Sequence, residues 1–156
     1  MVWRRFNGQT IEEPIVSVVE KTIQEETEKG FRLKVCIGTD SRVKGGIIEF
    51  ATVIVFLREH RGGFMFISNS RIKGKMSIKE RMIQEVAKSV DVAYNLCSLL
   101  DKYDVELEIH ADINSDPGFV SNSALRDAMG YVLGMGFVFK SKPDAFASTC
   151  CADKMV

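Results

Sequence analysis

Two aspartates, Asp40 in Ile37-Gly38-Thr39-Asp40-Ser41 and Asp112 in Ile109-His110-Ala111-Asp112-Ile113-Asn114, each close an apolar alternating run, and a third acid, Asp153, stands close to the C-terminus. Carboxylates gathered at strand ends repel one another unless a cation neutralises them, so this pattern marks a candidate site for a hard divalent metal. The chemistry it favours is metal-assisted attack on phosphates. Either aspartate alone reads better as a turn former, Asp40 before Ser-Arg-Val-Lys-Gly-Gly and Asp112 before Asn114, Ser115, Asp116, Pro117 and Gly118. Two that share strand end and parity are less easily dismissed, because clustered carboxylates need compensation.

A second feature is basic. Arg71, Lys73, Lys75, Lys79 and Arg81 place five cations within eleven residues, opposed only by Glu80. Arg42 and Lys44 precede the next strand, and Lys140 and Lys142 extend the same track. Such a strip holds a nucleic-acid backbone through phosphate contacts, with salt-sensitive and sequence-independent affinity. The competing reading is a solvated loop and helix face. Aromatic residues are not interleaved, so base stacking is not indicated.

Other constellations fall away. Asp112, Asn114, Asp116 and Gly118 are spaced like a calcium loop, but Pro117 takes the position that requires glycine and Ser123 the one that requires glutamate. With two histidines, His60 and His110, and no glycine-flanked serine elbow, a hydrolytic triad is not expected. His110 shares a strand face with Asp112 and reads as a proton shuttle or simply a polar residue on a half-exposed face. Gly45-Gly46 and Gly62-Gly63 lack the spacing of a phosphate-binding loop.

Composition sets the frame. The 156 residues and 46% hydrophobic content suit one domain with a two- or three-layer core. The 21 basic and 21 acidic side chains cancel, so attraction to nucleic acid must be local. Cys36, Cys97, Cys150 and Cys151 lack paired zinc spacing and suit a reducing, cytoplasmic setting. No apolar run reaches membrane-spanning length, and no membrane partner is expected.

The elements that must position these residues follow from periodicity. Residues 1–30 are expected to form an N-terminal helical extension: Pro14 suits a first turn, Ile15, Val19 and Ile23 recur at helical spacing, the glutamates face solvent and Gly30 stops the helix. Strands are expected over 33–40, 47–57 and 64–70, as an antiparallel meander with a turn at 41–46. Ser77-x-x-Glu80 opens a long helix over 77–100 with Met82, Val86, Val90, Ala93, Cys97 and Leu100 along one stripe. A strand over 105–112, a helix over 121–133, a short strand over 136–139 and a helical tail from Ala145 complete the chain, with Met129, Met135 and Phe137 read as core. If the fourth strand lies beside the first, the helical crossover lets them run parallel, and Asp40 and Asp112 meet at their carboxyl ends. The expected fold is therefore α/β: a mixed five-stranded sheet, the meander plus two parallel strands, with helices on its faces.

Taken together, I-G-T-D-S at 37–41, E-R-M-I-Q-E at 80–85, I-H-A-D-I-N at 109–114, G-M-G-F at 134–137, K-P-D-A-F-A-S and the terminal A-D make the chain resemble the YkuK-like family of predicted nucleases within the ribonuclease H-like superfold. The resemblance covers most of the chain from Val35 to Asp153. It implies one RNase H-like domain over 1–156, with Asp40, Glu85, Asp112 and Asp153 as catalytic acids binding two Mg²⁺ or Mn²⁺ ions. Glu80 is the alternative for the helix acid, although the capping box claims its carboxylate while Glu85 lies nearer the apolar stripe. The implied function is a divalent-metal-dependent nuclease hydrolysing RNA or DNA phosphodiesters by the two-metal logic, with no protein nucleophile. Nucleic acid is then the partner, held by Arg42, Lys44, Arg71, Lys73, Lys75, Lys79 and Arg81. A superfold also hosts silent members, so the alternative is a catalytically inactive nucleic-acid-binding or regulatory module.

Overall fold

The computed structural model describes residues 1–114 and 122–156. Residues 115–121, with most of the stretch whose calcium-loop spacing was set aside and the start of the second large helix at Ser121, lie outside the described residues, as does the Met129 side chain. The described elements are β1 (Trp3–Arg5), β2 (Thr10–Ile11), α1 (Ile15–Glu28), β3 (Leu33–Lys44), β4 (Ile47–Arg58), β5 (Gly63–Lys73), α2 (Ile78–Lys102), β6 (Glu106–Asn114), α3 (Asn122–Gly134) and β7 (Val138–Lys142). A terminal segment follows, π-helical over Ala147–Ala152 and 3₁₀ over Asp153–Met155.

The sheet has seven strands in the order β2-β1-β5-β4-β3-β6-β7, which corrects the expected five. The meander β3-β4-β5 is antiparallel, and β6 runs parallel to β3 and β7 parallel to β6. The two added strands come from the N-terminal stretch, so residues 1–30 hold a hairpin as well as a helix. Its turn is Asn7-Gly8: Gly8 takes φ +90°, and Asn7 Oδ1 accepts the Gln9 amide at 3.0 Å. Trp3, 5% exposed, is the apolar anchor that draws the hairpin onto the sheet.

The meander strands also run further than expected. Gly45 and Gly46 both have positive φ, +58° and +75°, and so close a two-residue turn unaided. Pairing therefore continues through Asp40↔Ala51 to Lys44↔Ile47. Asp40 sits inside β3, not at its end, and Asp112 lies inside β6.

One face of the sheet, carrying Val35, Ile37, Ile54, Phe56, Phe66, Ile109, Ala111 and Ile113, packs against α1, α2 and Val132 of α3. Each large side chain buried there contributes roughly 1.5–3 kcal/mol. The other face, with Cys36, Val53, Val55 and Ile67, is covered by Ala147 and Ala152 of the terminal segment. Phe137 is partly buried against the first core, whereas Met135 is exposed. One of the α1 glutamates departs from the solvated expectation: Glu26 is buried and takes two hydrogen bonds from Arg58, at 2.5 and 3.0 Å, which hold its carboxyl below the usual range.

Helix α2 is fixed at its start and along its length. Ser77 Oγ accepts the Glu80 amide at 3.1 Å while Glu80 Oε2 accepts the Ser77 amide at 2.7 Å, a reciprocal capping box. Ser77→Ala is expected to cost about 1 kcal/mol, measured as a lower midpoint in urea at unchanged slope. Further along, Ser89 Oγ pairs with Thr39 Oγ1 at 2.8 Å, and Thr39 with Thr52 at 3.0 Å. These buried hydroxyls lock the helix's register against β3, one turn beyond Glu85.

Candidate metal centre

Pairing between β3 and β6 ends at Gly38↔His110, although both strands continue. The β6 ladder to β7 is also irregular between His110 and Asn114. The sheet therefore splays open just where Asp40 and Asp112 lie, each two residues past the last pair. Backbone that would otherwise wall one face from the other is parted there, so side chains from both layers can meet.

Four carboxylates converge on this opening. Asp40 shares the face of Cys36 with the terminal segment, whose Asp153 is near enough to act on its carboxyl. Asp112 lies opposite the buried Ile109, Ala111 and Ile113, and its charge acts on both Asp40 and Glu85. Glu85 arrives from the other layer: it is 6% exposed and accepts a hydrogen bond from the Ser41 hydroxyl. Its place on the helix follows from spacing, since Glu85, Ser89, Val92, Leu96 and Leu99 form one buried stripe. Glu80, by contrast, is exposed and spent on the cap.

The electrostatics are those of buried carboxylates that repel one another. Burial pushes the Asp40 carboxyl up to about 6, with the neighbouring Asp112 and Asp153 adding to it and the Ser41 amide opposing. Burial pushes Glu85 up to about 8, opposed by the Ser41 hydrogen bond and by Arg81 and reinforced by Asp40 and Asp112. Lys142 Nζ lies 2.6 Å from Asp112 Oδ1 but off the direction of a hydrogen bond, so that buried oxygen has an ion-pair contact and no directed donor. The donor set is all carboxylate oxygen, which fits a hard divalent ion such as Mg²⁺ or Mn²⁺. No three of these acids bring ligand atoms within 4.8 Å of one another.

Among the described residues, one group does reach that closeness: Cys36, Glu108 and His110. It is a closed hydrogen-bond network. Ala147 N–H donates to His110 Nδ1 at 3.2 Å, so the ring proton sits on Nε2 and donates to Glu108 Oε2 at 2.9 Å. Lys34 Nζ binds Glu108 Oε1 at 2.6 Å, and the Cys36 thiol approaches Oε2 at 3.8 Å. Burial pushes the Cys36 thiol up to about 12 and holds the His110 ring below its ordinary range. Burial also works to raise Glu108, but the hydrogen bonds from Lys34 and His110 outweigh it and keep the carboxyl ionised. A soft metal on Nε2 would need Nδ1 protonated, facing the Ala147 N–H head on, so this group does not fit zinc.

The basic residues divide. Arg42 and Arg71 both grip Glu49, at 3.1 and 2.6 Å, and Lys79 pairs with Asp127 at 3.0 Å. Arg81 turns inward, its Nε buried without a hydrogen bond and its charge felt by Glu85. Lys44, Lys73 and Lys75 are exposed and without an ion pair among the described residues. Ile47 faces Lys44 and Lys73 in the pairing, and the Gly74 amide bonds Gly46, so these three lysines gather at the far end of the meander. Sequence reasoning missed Ser41 and Thr39, for which hydroxyl residues flanking a strand acid were the available signal. Lys142, read as part of the track, instead faces Asp112.

No helix among the described residues is long and apolar enough to cross a membrane. No curated protein matches the chain at a significant level. A family model described as Ribonuclease H-like matches residues 14–156, a span that takes in all four acids and both layers of the splayed sheet. With the parallel β3–β6 pair, the antiparallel meander and the helices on the sheet faces, this establishes that the chain belongs to the ribonuclease H-like family, in its YkuK-like branch.

Proposed function

We propose that the protein is a divalent-metal-dependent nuclease that hydrolyses RNA or DNA phosphodiester bonds. The observation that carries the reading is the convergence of Asp40, Glu85, Asp112 and Asp153 at the opening between β3 and β6, in a chain of the ribonuclease H-like family. Asp40 and Asp112 would hold the ions from the sheet, Glu85 from α2 and Asp153 from the terminal segment. Bound Mg²⁺ or Mn²⁺ would supply a water of lowered pKa and charge stabilisation at the phosphate. Ser41 orients the Glu85 carboxylate, and Arg81 offsets part of its charge. Lys142 balances Asp112 and must yield that oxygen to an incoming ion. Lys44, Lys73 and Lys75 present positive charge beyond the acidic centre and suit the phosphates of an extended strand.

A second reading, a silent nucleic-acid-binding module, is favoured by one observation: Lys142 already neutralises Asp112. The two part in a single experiment, in which single-stranded, duplex and hybrid RNA and DNA are incubated with the protein in Mg²⁺, Mn²⁺ or EDTA. Cleavage that requires the metal is expected. Salt-sensitive binding without cleavage in any metal would establish the silent module instead.

A further inference from the structure

The Lys34–Glu108–His110 network plays no part in the chemistry proposed above, yet its His110 end is buried against the element that carries Asp153. Three contacts define that junction. Ala147, the first residue of the terminal segment, donates its amide to His110 Nδ1. The His110 ring meets Phe146 edge to face at 4.8 Å. Beneath them Gly38 leaves no room: a Cβ there would stand 2.5 Å from Ala147 C and Ser148 N. The segment's backbone thus lies directly on β3 at the point where the sheet splays, two residues before Asp40.

The direction of the Ala147 bond is set from below. Nδ1 accepts only while the ring proton stays on Nε2, and Glu108, anchored by Lys34, is the acceptor that keeps it there. Glu108 and His110 lie on the same face of β6 as Asp112 and reach the terminal segment by that route.

We propose that His110 is a positioning residue of the acidic centre: oriented by the Lys34–Glu108 pair, its Nδ1 docks the terminal segment through the Ala147 amide and so sets where Asp153 stands relative to Asp40. The proposal rests on the metal-centre reading of those acids. It does not require His110 to touch metal or substrate. Residues that orient a ligand-bearing element in this way typically govern metal affinity by about 10- to 100-fold.

Two substitutions separate the Ala147 contact from the rest of the network. Asn at 110 can place its side-chain oxygen where Nδ1 accepts, whereas Gln can place its amide nitrogen where Nε2 donates but offers no acceptor to Ala147. Mn²⁺ alone is titrated into wild type, His110→Asn and His110→Gln by calorimetry, and amide exchange of residues 146–156 is followed in the metal-free proteins. His110→Gln is expected to lose about tenfold or more in Mn²⁺ affinity and to speed exchange over that segment, with His110→Asn recovering most of both. Gly38→Ala presses on the same junction from below and is expected to speed the same exchange with the His110 network intact. Wild-type exchange and affinity in His110→Gln would overturn the proposal, as would equal losses in the Asn and Gln variants. If wild type takes up no Mn²⁺, the metal-centre reading fails and the positioning role with it, while the exchange comparison still decides whether His110 docks the segment.

Discussion

Asp40→Asn is expected to abolish metal-dependent cleavage while leaving the metal-free fold more stable than wild type at neutral pH. Asp40 is the acid on which the cluster centres, since Asp112 and Asp153 both act on it and it in turn acts on Glu85. An amide there presents one neutral oxygen in place of an anion. A metal worth about 4 kcal/mol of transition-state stabilisation, if lost, slows cutting roughly a thousandfold. The gain in stability has a separate origin. With its carboxyl pushed up to about 6, Asp40 is ionised at neutral pH against burial and two neighbouring carboxylates, and the amide removes that penalty. A nuclease assay beside thermal melts in EDTA checks both halves. Undiminished cutting by the variant would remove Asp40 from the mechanism and take the proposed function with it.

Glu85→Gln should produce the second large effect, most visible as a change in the dependence of stability on pH. The folded carboxyl titrates near 8 against an ordinary value of 4.5, so between those limits the folded state holds a proton that the unfolded chain has released. Stability therefore falls as pH rises through that window and levels off above it. Each unit of such a shift is worth about 1.4 kcal/mol, so a penalty of several kcal/mol has accumulated by its upper end. Asp40 contributes in the same direction over the lower part of the range. Wild type in EDTA should show a melting midpoint that drops as the buffer moves from mildly acidic to mildly alkaline, and millimolar Mn²⁺ should restore it. Glu85→Gln keeps an oxygen for the Ser41 hydroxyl, flattens the profile, raises the alkaline midpoint and ceases to cut. A variant as pH-sensitive as wild type would show that Glu85 does not carry the strained charge.

The parts of this arrangement that were legible in the sequence are those written in local pattern. The meander, the long capped helix and the parallel return of β6 each leave a periodicity or a boundary residue, and the parity of Asp40 and Asp112 follows from counting along strands. That Glu80 would commit its carboxylate to the helix cap was readable too, from the Ser77-x-x-Glu80 spacing. The N-terminal hairpin left a weaker trace: strands of three and two residues are too short for alternation to register, and Asn7-Gly8 was the only cue. The extension of β3 past Asp40 was hidden for a different reason. Ser41, Arg42 and Lys44 are polar because that part of the ribbon is half or fully exposed, and polarity beside two glycines reads as a turn. The pairings of Arg42, Arg71 and Lys142 depend on which strands become neighbours, which composition along one strand does not encode.

The parting of β3 from β6 has a mechanical consequence. A zipped sheet keeps its two sides independent, so a helix lifting from one leaves the other undisturbed. Here a single occupant of the window would be gripped by α2 from above and by the terminal segment from below, fastening three layers like a rivet. Because any ion that prefers the folded chain stabilises it by mass action, about 2.7 kcal/mol at a hundred times its dissociation constant, loading would tighten both sides of the molecule at once.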